Sequence, residues 1–69
     1  MEEKVMLINL LREWHKKILI TKSETAFELS ISEDTLDALR KDGVLKSKTV
    51  RGQVRFKIYE VARYIVDDL

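Results

Sequence analysis

From Glu2 to Ile18 the chain reads EEKVMLINLLREWHKKI, with no Gly or Pro, acids at its start and Lys16 and Lys17 at its end. That charge order suits the helix dipole, and the segment predicts a helix. Leu7, Leu10, Leu11, Trp14 and Ile18 fall on one stripe at helical spacing and form the expected core face. Val5 and Ile8 point to the opposite side, where they are candidates for a dimer contact. After a short extended stretch over residues 18–20, Thr21-Lys22-Ser23-Glu24 has the form of a capping box and predicts a second helix from Lys22 to Leu29. Ser32 caps a third from Glu33 to Asp42, which Gly43 closes in the left-handed conformation. Between Lys46 and Lys57 the period changes to strict alternation, with Val54, Phe56 and Ile58 on one face and a turn at Arg51-Gly52. The simplest pairing sets Lys48 opposite Arg55 and Lys46 opposite Lys57, while a bulged three-residue loop would shift the partners by one. A last helix, beginning near Ile58, carries the stripe Val61, Ala62, Ile65 and Leu69.

Sixty-nine residues make one domain, and a chain of this length hides only roughly 60% of its unfolded surface. The absence of Cys removes disulfides and thiolate metal sites and makes a reducing cytoplasm the expected setting. Hydrophobic residues at 45% and charged residues at 36% describe a globular chain. The apolar run from Val5 to Leu11 is broken by Asn9 and followed by Arg12, which is too short and too polar for a membrane span, and it lacks the small-residue cleavage site of a secretory signal. The net charge of +1 conceals a segregation, with an acidic centre over residues 18–45 and a basic last third over 46–69. Five basic residues and no acidic one lie between Lys46 and Lys57. Like charges facing each other across a ladder repel, so stability alone does not favour such a ribbon, although lysines also guard solvated sheet edges.

Catalysis finds little material. His15 is the single histidine, expected on the surface between Trp14 and Lys16, and neither Cys nor a second His can join it on a metal. Ser23, Ser30, Ser32 and Ser47 are explained by caps, turn and strand, and the two glycines, Gly43 and Gly52, make no phosphate loop. Trp14, Phe27, Phe56, Tyr59 and Tyr64 read as core and rim, with Phe27 and Phe56 at inward positions. No enzyme activity and no cofactor are therefore expected.

The stretch ITKSETAFELSISEDTLDALRKDGVL has helix-turn-helix spacing: Ala26 is small where the helices cross, Leu29 and Ile31 bracket the turn, and Leu36 and Leu39 seat the second helix on the first. With the hairpin and final helix, residues 19–66 resemble the excisionase-like and MerR-like winged helix-turn-helix family of small phage and mobile-element DNA-binding proteins. The matching positions are Thr21, Ala26, Ser32 and Thr35, then Gly43-Val44-Leu45, the basic ribbon and Tyr59 onward. The resemblance implies a mainly α fold with a small β-hairpin: an extra N-terminal helix (1–18), a helix-turn-helix (19–45), a wing (46–57) and a C-terminal helix (58–69). It implies non-catalytic binding of double-stranded DNA, with Thr35, Arg40 and Lys41 of the third helix in the major groove. Lys46, Lys48, Arg51, Gln53, Arg55 and Lys57 of the wing would then lie on the backbone or in the minor groove. It further implies a homodimer or cooperative array, a nucleoid-associated setting in the cytoplasm, and a regulator, recombination or packaging role beside a recombinase, terminase or other protein. Ser30 stands where the family commonly has Gly. The face that would meet bases carries Asp34 and Asp37 beside Ala38 and Lys41, and phosphates oppose those carboxylates. The alternative is a winged-helix protein interaction module that uses the acidic third helix.

Overall fold

Local capping bonds set the ends of the helices in the computed structural model, which describes residues 2–69. Helix α1 spans Glu2–His15, strand β1 Leu19–Thr21, helix α2 Lys22–Leu29 and helix α3 Glu33–Lys41. Strands β2 (Lys48–Val50) and β3 (Gln53–Lys57) follow, then helix α4 (Ile58–Arg63), which runs on into a wide π-helical turn over Tyr64–Asp68. At the start of α2, Thr21 Oγ1 accepts the Glu24 N–H at 3.0 Å and Glu24 Oε1 accepts the Thr21 N–H at 2.8 Å, so the capping box is complete. Ser32 Oγ accepts the Thr35 N–H at 3.1 Å and starts α3. Ser30 turns the chain between the two helices in the left-handed region, at φ 57°. Beyond α3, Gly43 does the same at φ 76°.

The chain is mainly helical, with one antiparallel sheet of order β1-β3-β2. Pairing of Lys48 with Arg55 and Val50 with Gln53 leaves a two-residue turn at Arg51-Gly52, both at positive φ, as the simplest register requires. The residues expected to form a two-stranded ribbon instead gain a third strand, since Leu19, Ile20 and Thr21 pair with Lys57, Phe56 and Arg55 along the other edge of β3. Lys46 does not face Lys57. Its N–H donates to Glu60 Oε2 at 2.9 Å, and this bond to α4 carries the chain out of the ladder before β2 begins.

Phe56, Ile20, Leu36, Leu45, Ile58, Val61 and Ala62 form the innermost core, joined by Leu11, Ala26 and Leu29. Helix α1 packs on α4 and buries a different face from the one expected. Leu7, Ile8 and Leu11 meet the core, whereas Leu10, Trp14 and Ile18 remain exposed. Ile8 therefore does not point away with Val5, which is exposed. The physical reason is that α1 is apolar on most of its circumference, so periodicity alone does not select the docked side. Ile18 lies beyond the helix altogether, because Lys16 reverses the chain at φ 59° and the Ile18 carbonyl then accepts the Ile58 N–H at 2.8 Å.

Three other expected positions differ. Phe27 faces water, since α2 buries Thr25, Ala26 and Leu29 instead. Leu69 is exposed because the π-helical turn, closed by the Leu69 N–H on the Tyr64 carbonyl, rotates it off the stripe of Val61, Ala62 and Ile65. The His15 side chain is nearly buried between α1 and α2, with Nε2 3.1 Å from Glu28 Oε1 and Nδ1 3.5 Å from Glu24 Oε2. It is thus a tie between helices rather than a surface histidine. Among the described residues no helix is long and apolar enough to cross a membrane.

Candidate nucleic-acid interface

Alternation along β3 sends Phe56 into the core and so turns Arg55 and Lys57 to the opposite face of the sheet. Lys48, directly across from Arg55, is exposed on that same face. Arg55 is half-buried; Nη1 donates to the Val54 carbonyl at 2.9 Å and Nη2 to Gln53 Oε1, which holds the guanidinium flat along the strand. Lys57 Nζ sits 5.3 Å from the centre of the Tyr59 ring and 3.4 Å from its hydroxyl. Arg51 occupies the tip at φ 52°, a left-handed backbone that costs an L side chain about 1–2 kcal/mol, with Gln53 exposed beside it.

A second cationic group forms where α2, α3 and the start of β2 meet. Asp37 Oδ2 lies 2.8 Å from Lys22 Nζ and Asp37 Oδ1 2.8 Å from Arg40 Nη1, while Arg40 Nε donates to Ser47 Oγ at 3.1 Å. The hydrogen bond from Lys22, and after it that from Arg40, lowers the Asp37 carboxyl from its ordinary range despite a desolvation effect in the other direction. Lys41 is exposed beside this cluster. Thr35 lies at the other end of α3, exposed, with its hydroxyl 2.9 Å from Ser32 Oγ. Asp34 is exposed in the first turn of α3.

The connection from α3 to β2 is held down by a buried carboxylate. Glu60 accepts the Lys46 N–H, Arg63 Nε at 2.9 Å and Arg63 Nη2 at 3.0 Å, and Arg63 also donates to the Val44 carbonyl at 2.8 Å. Burial pushes the Glu60 carboxyl up, but the bonds from Arg63 and Lys46 outweigh it and keep the group ionised. Glu60 and Asp68 in turn hold the proton on Arg63 more firmly than usual. This clamp fixes where the hairpin leaves the body of the protein.

The distribution of ion pairs separates the cations into two sets. Among the described residues Lys4, Lys16, Lys17, Lys22, Arg40 and Arg63 each lie within 4.0 Å of a carboxylate oxygen. Lys46, Lys48, Arg51, Arg55 and Lys57 do not, and neither do Lys41 or Arg12. The structure thus brings Lys48, Arg51, Gln53, Arg55 and Lys57 onto one ribbon and joins Arg40 to its base through Ser47, with Lys41 exposed nearby. It leaves Thr35 apart and puts Lys46 at the side. Sequence reasoning missed Lys22, Ser47, Tyr59 and Glu60, because only Tyr59, two residues from Lys57 at a strand end, has a local signal for its role.

Among the described residues no cluster of three or more His, Cys, Asp or Glu side chains is arranged to hold a metal ion. Comparisons of the chain with protein-family models, curated proteins and solved structures return no match.

Proposed function

We propose that this chain is a winged helix-turn-helix domain that binds double-stranded DNA without catalysing a reaction. Helix α2 and helix α3 are its helix-turn-helix, α3 enters the major groove, and the β2–β3 hairpin is the wing on the backbone or in the minor groove. The observation that carries this reading is that, among the described residues, the four ribbon cations Lys48, Arg51, Arg55 and Lys57 have no carboxylate partner, while the other cations, Arg12, Lys41 and Lys46 excepted, are paired. Lys48 opposite Arg55 is a repulsive arrangement in water and a favourable one against phosphate, which releases condensed counterions as each cation docks. The salt bridges at Asp37 support the reading too. They cancel one of the two carboxylates that would oppose α3 in a groove, and the same cancellation weakens the alternative in which an acidic α3 binds a protein. Arg40 is committed to Asp37 and Ser47 and Lys22 to Asp37, so Lys41, which is exposed, is better placed than either to meet a phosphate. The role is that of an excisionase, a small phage regulator or the DNA-binding part of a recombination or packaging complex, working in the nucleoid.

Titration of a labelled duplex at several salt concentrations tests the proposal. Wild-type affinity should fall steeply with salt, and the Lys48→Ala/Arg55→Ala protein should show a shallower dependence, by about 0.9 in the log–log slope for each phosphate that the protein no longer neutralises. Equal binding by the two proteins at every salt concentration would remove the wing from the interface.

A further inference from the structure

Four large apolar side chains stand in water on one side of the molecule. Met6 and Leu10 are each 64% exposed, and Trp14 and Phe27 each 74%. Met6, Leu10 and Trp14 recur every fourth residue on α1 and so make one ridge. Phe27 of α2 lines the same shallow depression as Leu10 and Trp14, with Leu7 and Leu11 beneath. The two helices that carry the ridge are fixed to each other through His15 and Glu28. At these exposures the four side chains leave roughly 600 Å² of largely apolar surface in water, the upper end of what a monomer shows.

We infer that this face is the interface of a two-fold homodimer in which α1 packs antiparallel against α1 of a second copy, centred on Leu10 and flanked by Phe27. The area of the face and its self-complementarity select a second copy as the occupant. The ridge is self-complementary about Leu10, with Met6 and Trp14 four residues to either side of it. With Leu10 on the two-fold axis, Met6 of each copy meets Trp14 of the other. The helix dipoles are then opposed as well. A parallel arrangement would instead stack Glu2 and Glu3 on their own copies. Burying the face on both copies removes about 1,000–1,200 Å² from water, which reaches the size of a specific interface. The contact replaces the one expected at Val5 and Ile8, since Ile8 is occupied by the core. It stands apart from the DNA reading and is tested without nucleic acid.

Sedimentation velocity over a range of concentrations should show a reversible dimer for the wild-type protein. Leu10→Lys should weaken the dimer about tenfold or more while leaving the melting temperature unchanged at concentrations where both proteins are monomeric, because the residue is exposed in the single chain. Met6→Glu and Trp14→Lys should each weaken the homodimer, and mixing the two should restore a dimer, because Met6 of one copy meets Trp14 of the other. A wild-type protein that stays monomeric at high concentration overturns the inference, as does a Leu10→Lys protein that dimerises like wild type. A Met6→Glu and Trp14→Lys mixture that forms no dimer overturns the antiparallel arrangement. Binding of monomeric wild type to neutral lipid vesicles through Trp14, read from its fluorescence, would assign the face to a bilayer instead.

Discussion

Across the β2–β3 hairpin Lys48 faces Arg55 with no carboxylate at either, whereas on α3 the carboxylate of Asp37 lies between Lys22 and Arg40, 2.8 Å from each. A cation beside its own carboxylate presents little field beyond a few ångströms, while unpaired like charges on one ribbon present a field that extends about 10 Å at ordinary salt. The chain's net charge of +1 therefore describes neither region. The hairpin also keeps Arg51 in a left-handed backbone, so it concentrates repulsion and strain where α3 has capped ends and internal pairs. What distinguishes the two is the use of their charges, since α3 commits Arg40 to an internal pair and the hairpin leaves its cations without carboxylate partners among the described residues.

The sharpest way to break this contrast is to discharge the ribbon. Lys48→Ala/Arg55→Ala should lower duplex affinity on the order of 50-fold at 0.1 M salt if both residues meet phosphate, with no loss of thermal stability because a repulsive pair has gone. A protein destabilised by these changes would show that the cations serve the fold. Next in size is Ala26→Leu. Ala26 is a buried core residue of α2, and extra methylenes there should cost about 1–3 kcal/mol in denaturant unfolding by overpacking the core on which the helices sit.

Acid should act on the helices and spare the hairpin. At the start of α2, burial pushes the Glu24 carboxyl up, but the Thr21 N–H and the Lys17 ammonium outweigh it and bring the group to about 2. The folded protein thus holds this carboxyl ionised at lower pH than the unfolded chain does. Its stabilising effect is full above about pH 4.5 and is lost as pH falls from there towards 2. The side chain is 31% exposed, so solvent screening reduces the contribution to about 1 kcal/mol. Melting curves between pH 6 and pH 3 should show this loss, and Glu24→Gln should flatten it. The hairpin has no acidic residue from Lys46 to Lys57 and adds nothing to the change. The smallest effect should separate two aspartates. Asp37→Asn releases Lys22 and Arg40 and should tighten duplex binding more than Asp34→Asn, which only removes a carboxylate; the order is read from affinities at a single salt concentration.

Elements closed by local bonds were legible in the chain. Thr21 with Glu24, Ser32 with Thr35, and Arg51-Gly52 each fix a boundary within four residues, and α2, α3 and the hairpin turn follow from them, while the choice between the two registers open to the chain came with the structure. Features made by distant partners were not. The pairing of Leu19–Thr21 with β3, the capture of Lys46 by Glu60 and the bridging of Asp37 to Lys22 all join separate elements. The docked face of α1 was hidden for another reason: apolar residues cover so much of that helix that both sides satisfy the same periodicity, and only its packing against α4 selects Leu7, Ile8 and Leu11. Of the candidate site, the ribbon's basic composition was visible, but which cations lack carboxylate partners depends on the tertiary arrangement.

The backbone amide NMR spectrum during titration with a duplex tests the ribbon's role most directly, because it reports on every element at once. Docking through the wing predicts the largest, salt-sensitive shifts across Lys48–Lys57, with further shifts at Thr35 and Lys41 if α3 enters the groove. Shifts confined to α1 and the exposed side of α2, with Lys48–Lys57 unmoved, would contradict it.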